Sequence, residues 1–182
     1  MHLGDAETSP TYHVRLAAEG GKRKKSRMVT NQRRREHTMA NDMTVRTILE
    51  TGMRFDVETG SGHHVILDAA EENGGQDTGP RPMEMLLVAL ASCAGMDIIS
   101  ILRKKRQEIN AYEVRVHGTR EEEYPKAFVE ITVEHIFTGP NIKPEAVERA
   151  IQLTEDRYCG AIAMLAKAAT IKNTFRIIED NT

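Results

Sequence analysis

Residues 82–109 read PMEMLLVALASCAGMDIISILRKKRQEI, and the reading of this run decides the fold. It is too long for a strand and opens on Pro82, a residue well tolerated in the first helical turn. Leu86, Leu87, Val88, Leu90, Met96, Ile98, Ile99 and Leu102 surround the helix axis on nearly every side, a pattern that predicts a buried helix. Glu84 and Asp97 interrupt the apolar run, which leaves it too short for a membrane span by this reading. Arg103, Lys104, Lys105 and Arg106 stand in the last turns, where the partial negative charge of the carbonyl ends favours cations. Cys93 lies in the middle, between Ser92 and Ala94.

The totals around this helix bound the rest. A chain of 182 residues is long enough for one domain with its own core. With no tryptophan and 4% aromatics, that core must be aliphatic and rich in methionine. The net charge of −2 hides an asymmetry: residues 1–38 carry nine of the 25 Lys and Arg but four of the 27 Asp and Glu, leaving the remainder at −7. Residues 1–42 are therefore read as a basic, disordered tail and residues 43–182 as the folded domain. The blocks Lys22-Arg23-Lys24-Lys25 and Arg33-Arg34-Arg35 suit a nucleic-acid or anionic-surface arm, a solvated tail, or sequence upstream of a later start at Met39 or Met43. The N-terminus lacks the continuous apolar stretch of a signal peptide, no membrane is expected, and the default compartment is the reducing cytoplasm.

Before the helix, residues 44–68 predict a three-stranded meander with turns at Gly52 and at Gly60-Ser61-Gly62. His63 and His64 point to opposite faces there, so they do not form a metal pair. After the helix, residues 111–117 and 127–137 alternate as a long antiparallel hairpin, with one slip of parity that predicts a bulge. His117 and His135 read as surface or edge residues of these strands. Lys143-Pro144-Glu145 opens a second helix, Arg157-Tyr158-Cys159-Gly160 interrupts it, residues 161–169 resume it, and residues 170–179 form a last strand. The class is α+β, with antiparallel sheets packed around the central helix.

Two cysteines are too few for a disulfide scaffold and, alone, for a structural zinc site. Cys159 sits where a helix restarts, a setting that favours a thiolate. Cys93 lies well inside its helix, so its activation must come from side chains of other elements. The pair suits either a peroxidatic and resolving couple, in which a sulfenic acid condenses with the second thiol, or two separately buried structural cysteines.

The segment Pro-x-Glu-x-Leu-Leu-x-Ala-Leu-Ala-Ser-Cys (Pro82 to Cys93), together with Asp97 to Leu102 and Arg157-Tyr158-Cys159, resembles the OsmC/Ohr family of thiol peroxidases, closest to its YhfA-like branch. The resemblance spans about residues 44–180. It implies an intertwined homodimer with active sites at the subunit interface. It makes Cys93 the peroxidatic and Cys159 the resolving cysteine, the catalytic pair. It implies hydroperoxide substrates in oxidative stress defence, a thiol reductant, and no metal, flavin or other cofactor. The sequence departs from the family at one place. Peroxidases of the family carry a glutamate ten residues before the first cysteine, paired with an arginine; here that position is Met83. Glu84 is about half a revolution out of phase with Cys93 and ~13 Å away along the axis. Arg54 and Arg81 are the candidate activating arginines. Two alternatives follow: a non-enzymatic protein of the same fold holding a small apolar ligand, and a nucleic-acid-associated protein using the tail, though nucleic acid is not the expected partner.

Overall fold

The computed structural model describes residues 42–180, so the expected basic tail over residues 1–42 lies outside the described residues except for Asp42. Strands β1 (Val45–Thr51), β2 (Arg54–Thr59) and β3 (His64–Leu67) form the expected antiparallel meander in that order. Gly52 takes φ +56° and Gly62 φ +82° in its two turns, a left-handed conformation that glycine adopts without a Cβ clash. Every residue of β1 is exposed. The loop that follows folds around Asp68, whose carboxylate accepts the N–H groups of Ala69 (2.8 Å), Gln76 (3.1 Å) and Thr78 (3.1 Å) and the Thr78 hydroxyl (2.8 Å). Burial pushes this carboxyl up, but the four hydrogen bonds together outweigh it and hold the pKa at about 2.

Helix α1 (Pro82–Lys104) starts on its proline, and the Glu84 carboxylate returns to accept the Arg81 backbone N–H at 2.8 Å. Leu90, Ala94, Ile98 and Leu102, spaced by four, form a buried stripe. The side turned away from this stripe is open, with Val88 51% and Met96 70% exposed, and Leu86 at the start of the stripe's own row is 41% exposed. The expectation of burial on all sides is thus corrected, because the elements among the described residues cover only one face. The expectation that no stretch could span a membrane is corrected too, since by length and composition alone this helix passes for one. It is instead engaged along its buried stripe by β4 and by the helices that follow β5.

Strands β4 (Ala111–Arg120), β5 (Phe128–Gly139) and β6 (Thr170–Glu179) make the second sheet, with β5 central. β4 and β5 pair antiparallel with one shift between Thr119 and Arg120, the bulge that the slipped parity required. β6 pairs with β5 in parallel, which corrects the expectation of purely antiparallel sheets. A parallel partner needs a crossover, and the helical segment between β5 and β6 supplies it. That segment is α2 (Pro144–Leu153), a π turn (Thr154–Tyr158) and α3 (Gly160–Leu165).

The helices and the second sheet enclose two apolar clusters. One joins Leu90, Ala94, Phe128, Ile131, Val133, Cys159 and Ile162; the other joins Ile98, Leu102, Phe137, Val147, Ala150 and Ile151. His135 is fully buried, not a surface residue, because β5 is covered on both edges and by α1. Its Nδ1 meets the Tyr112 hydroxyl at 2.8 Å and its Nε2 meets the Asn173 side-chain oxygen at 3.0 Å. The Tyr112 ring stacks on Phe137 at 4.5 Å between centroids. His117 is exposed, as expected.

Candidate functional site

The two cysteines, 66 residues apart in sequence, meet at the first apolar cluster. Cys93 projects from the middle of α1 beside the buried stripe and is half-buried; Cys159 is 2% exposed. Both thiols are free, and their sulfurs lie within 4.8 Å of each other. The same limit takes in a carboxylate oxygen of Asp97, one turn beyond Cys93 on α1. Asp97 is half-buried and makes no hydrogen bond or ion pair among the described residues.

A local irregularity places Cys159. The helix after α2 widens into one π turn, in which the Cys159 N–H reaches back to the Thr154 carbonyl at 3.0 Å. Thr154 is itself buried, its hydroxyl donating to the Ala150 carbonyl at 2.9 Å. Cys159 then caps α3, its sulfur accepting the Ile162 N–H at 3.4 Å. The sequence expectation that this helix start favours a thiolate is corrected. Burial pushes the Cys159 thiol up to about 11; the Ile162 N–H pulls the other way, but the neighbouring Cys93 sulfur raises it further. A six-residue helix offers too little dipole to offset removal from water.

The remaining candidates do not converge on the sulfurs. Arg54 is held by the Glu50 carboxylate at 2.7 Å and the Thr78 hydroxyl at 2.6 Å. Arg81 is bonded to Asp77 and to the Gly79 carbonyl, the latter at 2.7 Å. Glu84 is used in closing the helix start, as its phase required. Met83 packs with Cys93 against the apolar cluster, so no acid replaces the missing glutamate at that position. Asp97 was the residue the sequence argument missed as a site group. Its spacing of four from Cys93 on a helix was the available signal.

A buried stripe with a thiol and an acid beside it, a mixed sheet, and a second thiol at a helical irregularity form a distinctive set. The sequence profile described as OsmC-like protein matches residues 74–174, which contain both thiols, Asp97 and all of the second sheet but the end of β6. The chain belongs to the OsmC-like family. Protein YhfA of Escherichia coli K12 is 39% identical to this OsmC-like chain over 127 residues, 70% of this chain and 92% of YhfA. Among solved structures, a protein from Aquifex aeolicus VF5 is 29% identical with a TM-score of 0.69, covering 78% of this OsmC-like chain and 99% of its own. An organic hydroperoxide resistance protein OsmC from Legionella pneumophila shares the fold alone, at 13% identity and a TM-score of 0.57, over 74% of this chain and 96% of its own.

Proposed function

We propose that this OsmC-like protein is a thiol-dependent peroxidase that reduces organic and inorganic hydroperoxides through Cys93 and Cys159. The observation that carries the reading is the approach of the two sulfurs to within 4.8 Å from separate helical elements. The Cys93 thiolate attacks the outer oxygen of the hydroperoxide, the O–O bond breaks, and the alcohol leaves after taking up a proton. Cys93 is then a sulfenic acid. The Cys159 sulfur attacks it, water departs, and a disulfide forms; the net change is two thiols plus a hydroperoxide to a disulfide, an alcohol and water. A thiol reductant supplies the two electrons that reopen the disulfide. The reading fits a reducing compartment such as the cytoplasm, where such a pair is kept ready. The hydroperoxide-resistance name of the Legionella relative supports it at the level of fold.

The same reading includes a homodimer. The open face of α1 carries Val88, Met96 and Ile99, and with Tyr112 and Val114 they line an apolar groove of about 440 Å³. A second copy packing its own α1 there would cover this face. Arg54 and Arg81 are occupied elsewhere in their own chain, and among the described residues no arginine is bonded to either sulfur.

The deciding assay is thiol-dependent consumption of cumene hydroperoxide and of hydrogen peroxide by purified protein. Turnover is expected and is expected to vanish in Cys93→Ser; absent turnover in the parent protein, or full turnover in the variant, overturns the reading. A second reading, a carrier for a small apolar ligand, is favoured by one cavity. It measures about 490 Å³ and is lined by Met53, Phe55, Leu67 and Pro82, away from both sulfurs. Binding of an apolar fluorophore that is indifferent to Cys93→Ser, in a protein without peroxide turnover, would favour that reading.

A further inference from the structure

We propose that the reduced Cys93–Asp97–Cys159 cluster is a binding site for one thiophilic divalent cation, with Zn2+ as the fitting ion. Three donor atoms of the right types lie within 4.8 Å of one another, two from one turn of α1 and one from the start of α3. Tetrahedral zinc with bonds of about 2.3 Å to sulfur sets its two sulfurs roughly 3.8 Å apart. Sulfur displacements of about 1 Å or less close the pair to that separation. The spacing of four on α1 fixes two ligands on one helical face, and the π turn brings the third.

Charge argues the same way. When ionised, these three groups place like charges together, and no basic side chain among the described residues is bonded to any of them. Arg54 and Arg81 are engaged by Glu50 and Asp77, and Arg157, two residues from Cys159, is exposed. A dication bound by two thiolates and a carboxylate offsets that repulsion, and coordination strips the proton from a thiol outright. The donor set also selects the metal. Calcium and magnesium take oxygen ligands in larger number, whereas two sulfurs with one oxygen suit zinc, leaving a fourth position to water.

The metal is a competitor of the thiol chemistry and not its cofactor, because both use the same sulfurs. This part rests on the peroxidase reading; metal binding itself does not. A hydroperoxide that oxidises the loaded pair draws two electrons from the two thiolates. The S–S bond forms, the O–O bond breaks, two protons are taken up, and alcohol, water and the free cation are the products. The oxidised site keeps only the Asp97 carboxylate and cannot retain the ion.

The test is a titration of the full chain with Co2+ under argon, after reduction with a phosphine, followed by displacement with Zn2+. One equivalent of Co2+ should produce a thiolate-to-cobalt charge-transfer band, and Zn2+ should abolish it. Cys93→Ser and Cys159→Ser should each lose the band. Asp97→Asn should weaken binding at least about tenfold, the lower end of the effect of losing a group that merely supports a ligand. The parent protein oxidised to its disulfide should bind nothing, and re-reduction should restore the band, a control that needs no variant to fold. No band in the reduced parent, unchanged binding in Cys159→Ser, or parental affinity in Asp97→Asn overturns the proposal. The peroxide assay is run separately on chelator-treated protein, so a failure of either leaves the other legible.

Discussion

At the residue scale, environment rather than residue type sets behaviour. His135 and His117 occupy the same hairpin, yet His117 is exposed while His135 is sealed between Tyr112 and Asn173. Burial lowers the His135 pKa, and the Asn173 hydrogen bond, which raises it, does not compensate. The imidazole is therefore neutral in the folded protein, accepting from Tyr112 and donating to Asn173. Below the unfolded value of 6.5 the unfolded chain binds a proton that the folded chain resists. The stability that the neutral ring contributes is fully present above that pH and falls as the pH drops through it, by at most about 1.4 kcal/mol per pH unit for one proton. Urea midpoints measured at pH 7.5 and 5.5 should show this loss, and His135→Gln, though less stable throughout, should show a smaller change between the two pH values. A strand position of alternating type cannot reveal this; the burial of His135 follows from β5 being central, which depends on β6 returning beside it.

At the element scale, the π turn is the device that sets the site. An α-helix advances about 100° per residue, so one extra residue in a turn re-aims all that follows. Deleting Asp156 should let Thr154–Tyr158 close as an ordinary helix and swing Cys159 away from Cys93. The deletion variant is expected to keep its far-UV circular dichroism but to lose the intramolecular disulfide on mild oxidation, read by mass after alkylation. Retention of the disulfide would mean that the turn does not position the thiol. The sequence showed an interruption at Arg157-Tyr158-Cys159-Gly160, and the structure shows what kind it is. The spacing of Cys93 and Asp97 was equally visible, but its meaning was not, because only the arrival of Cys159 makes that face a site.

At the scale of the whole molecule, the described residues leave apolar surface uncovered. Leu86, Val88 and Met96 stand open on α1, and Val45 and Leu49 are 68% and 55% exposed on β1. Exposed apolar area of this kind is what an interaction surface offers, and the proposed reading assigns it to a second copy. A homodimer through α1 is the expected state, and Val88→Glu with Met96→Glu should convert it to a monomer in light scattering coupled to size exclusion. A parent protein that is already monomeric would remove the dimer from the reading. The sequence alone determined the order of the main helices and strands, the turn glycines of the meander, the proline start of α1 and the family, because these follow from local periodicity, backbone preference and motif. Tertiary structure alone decided the parallel return of β6, the burial of His135, the raised Cys159 thiol and the meeting of Cys93, Asp97 and Cys159. Each of these depends on which distant segments share a boundary with water or with one another, and that is a property of packing that no local spacing encodes.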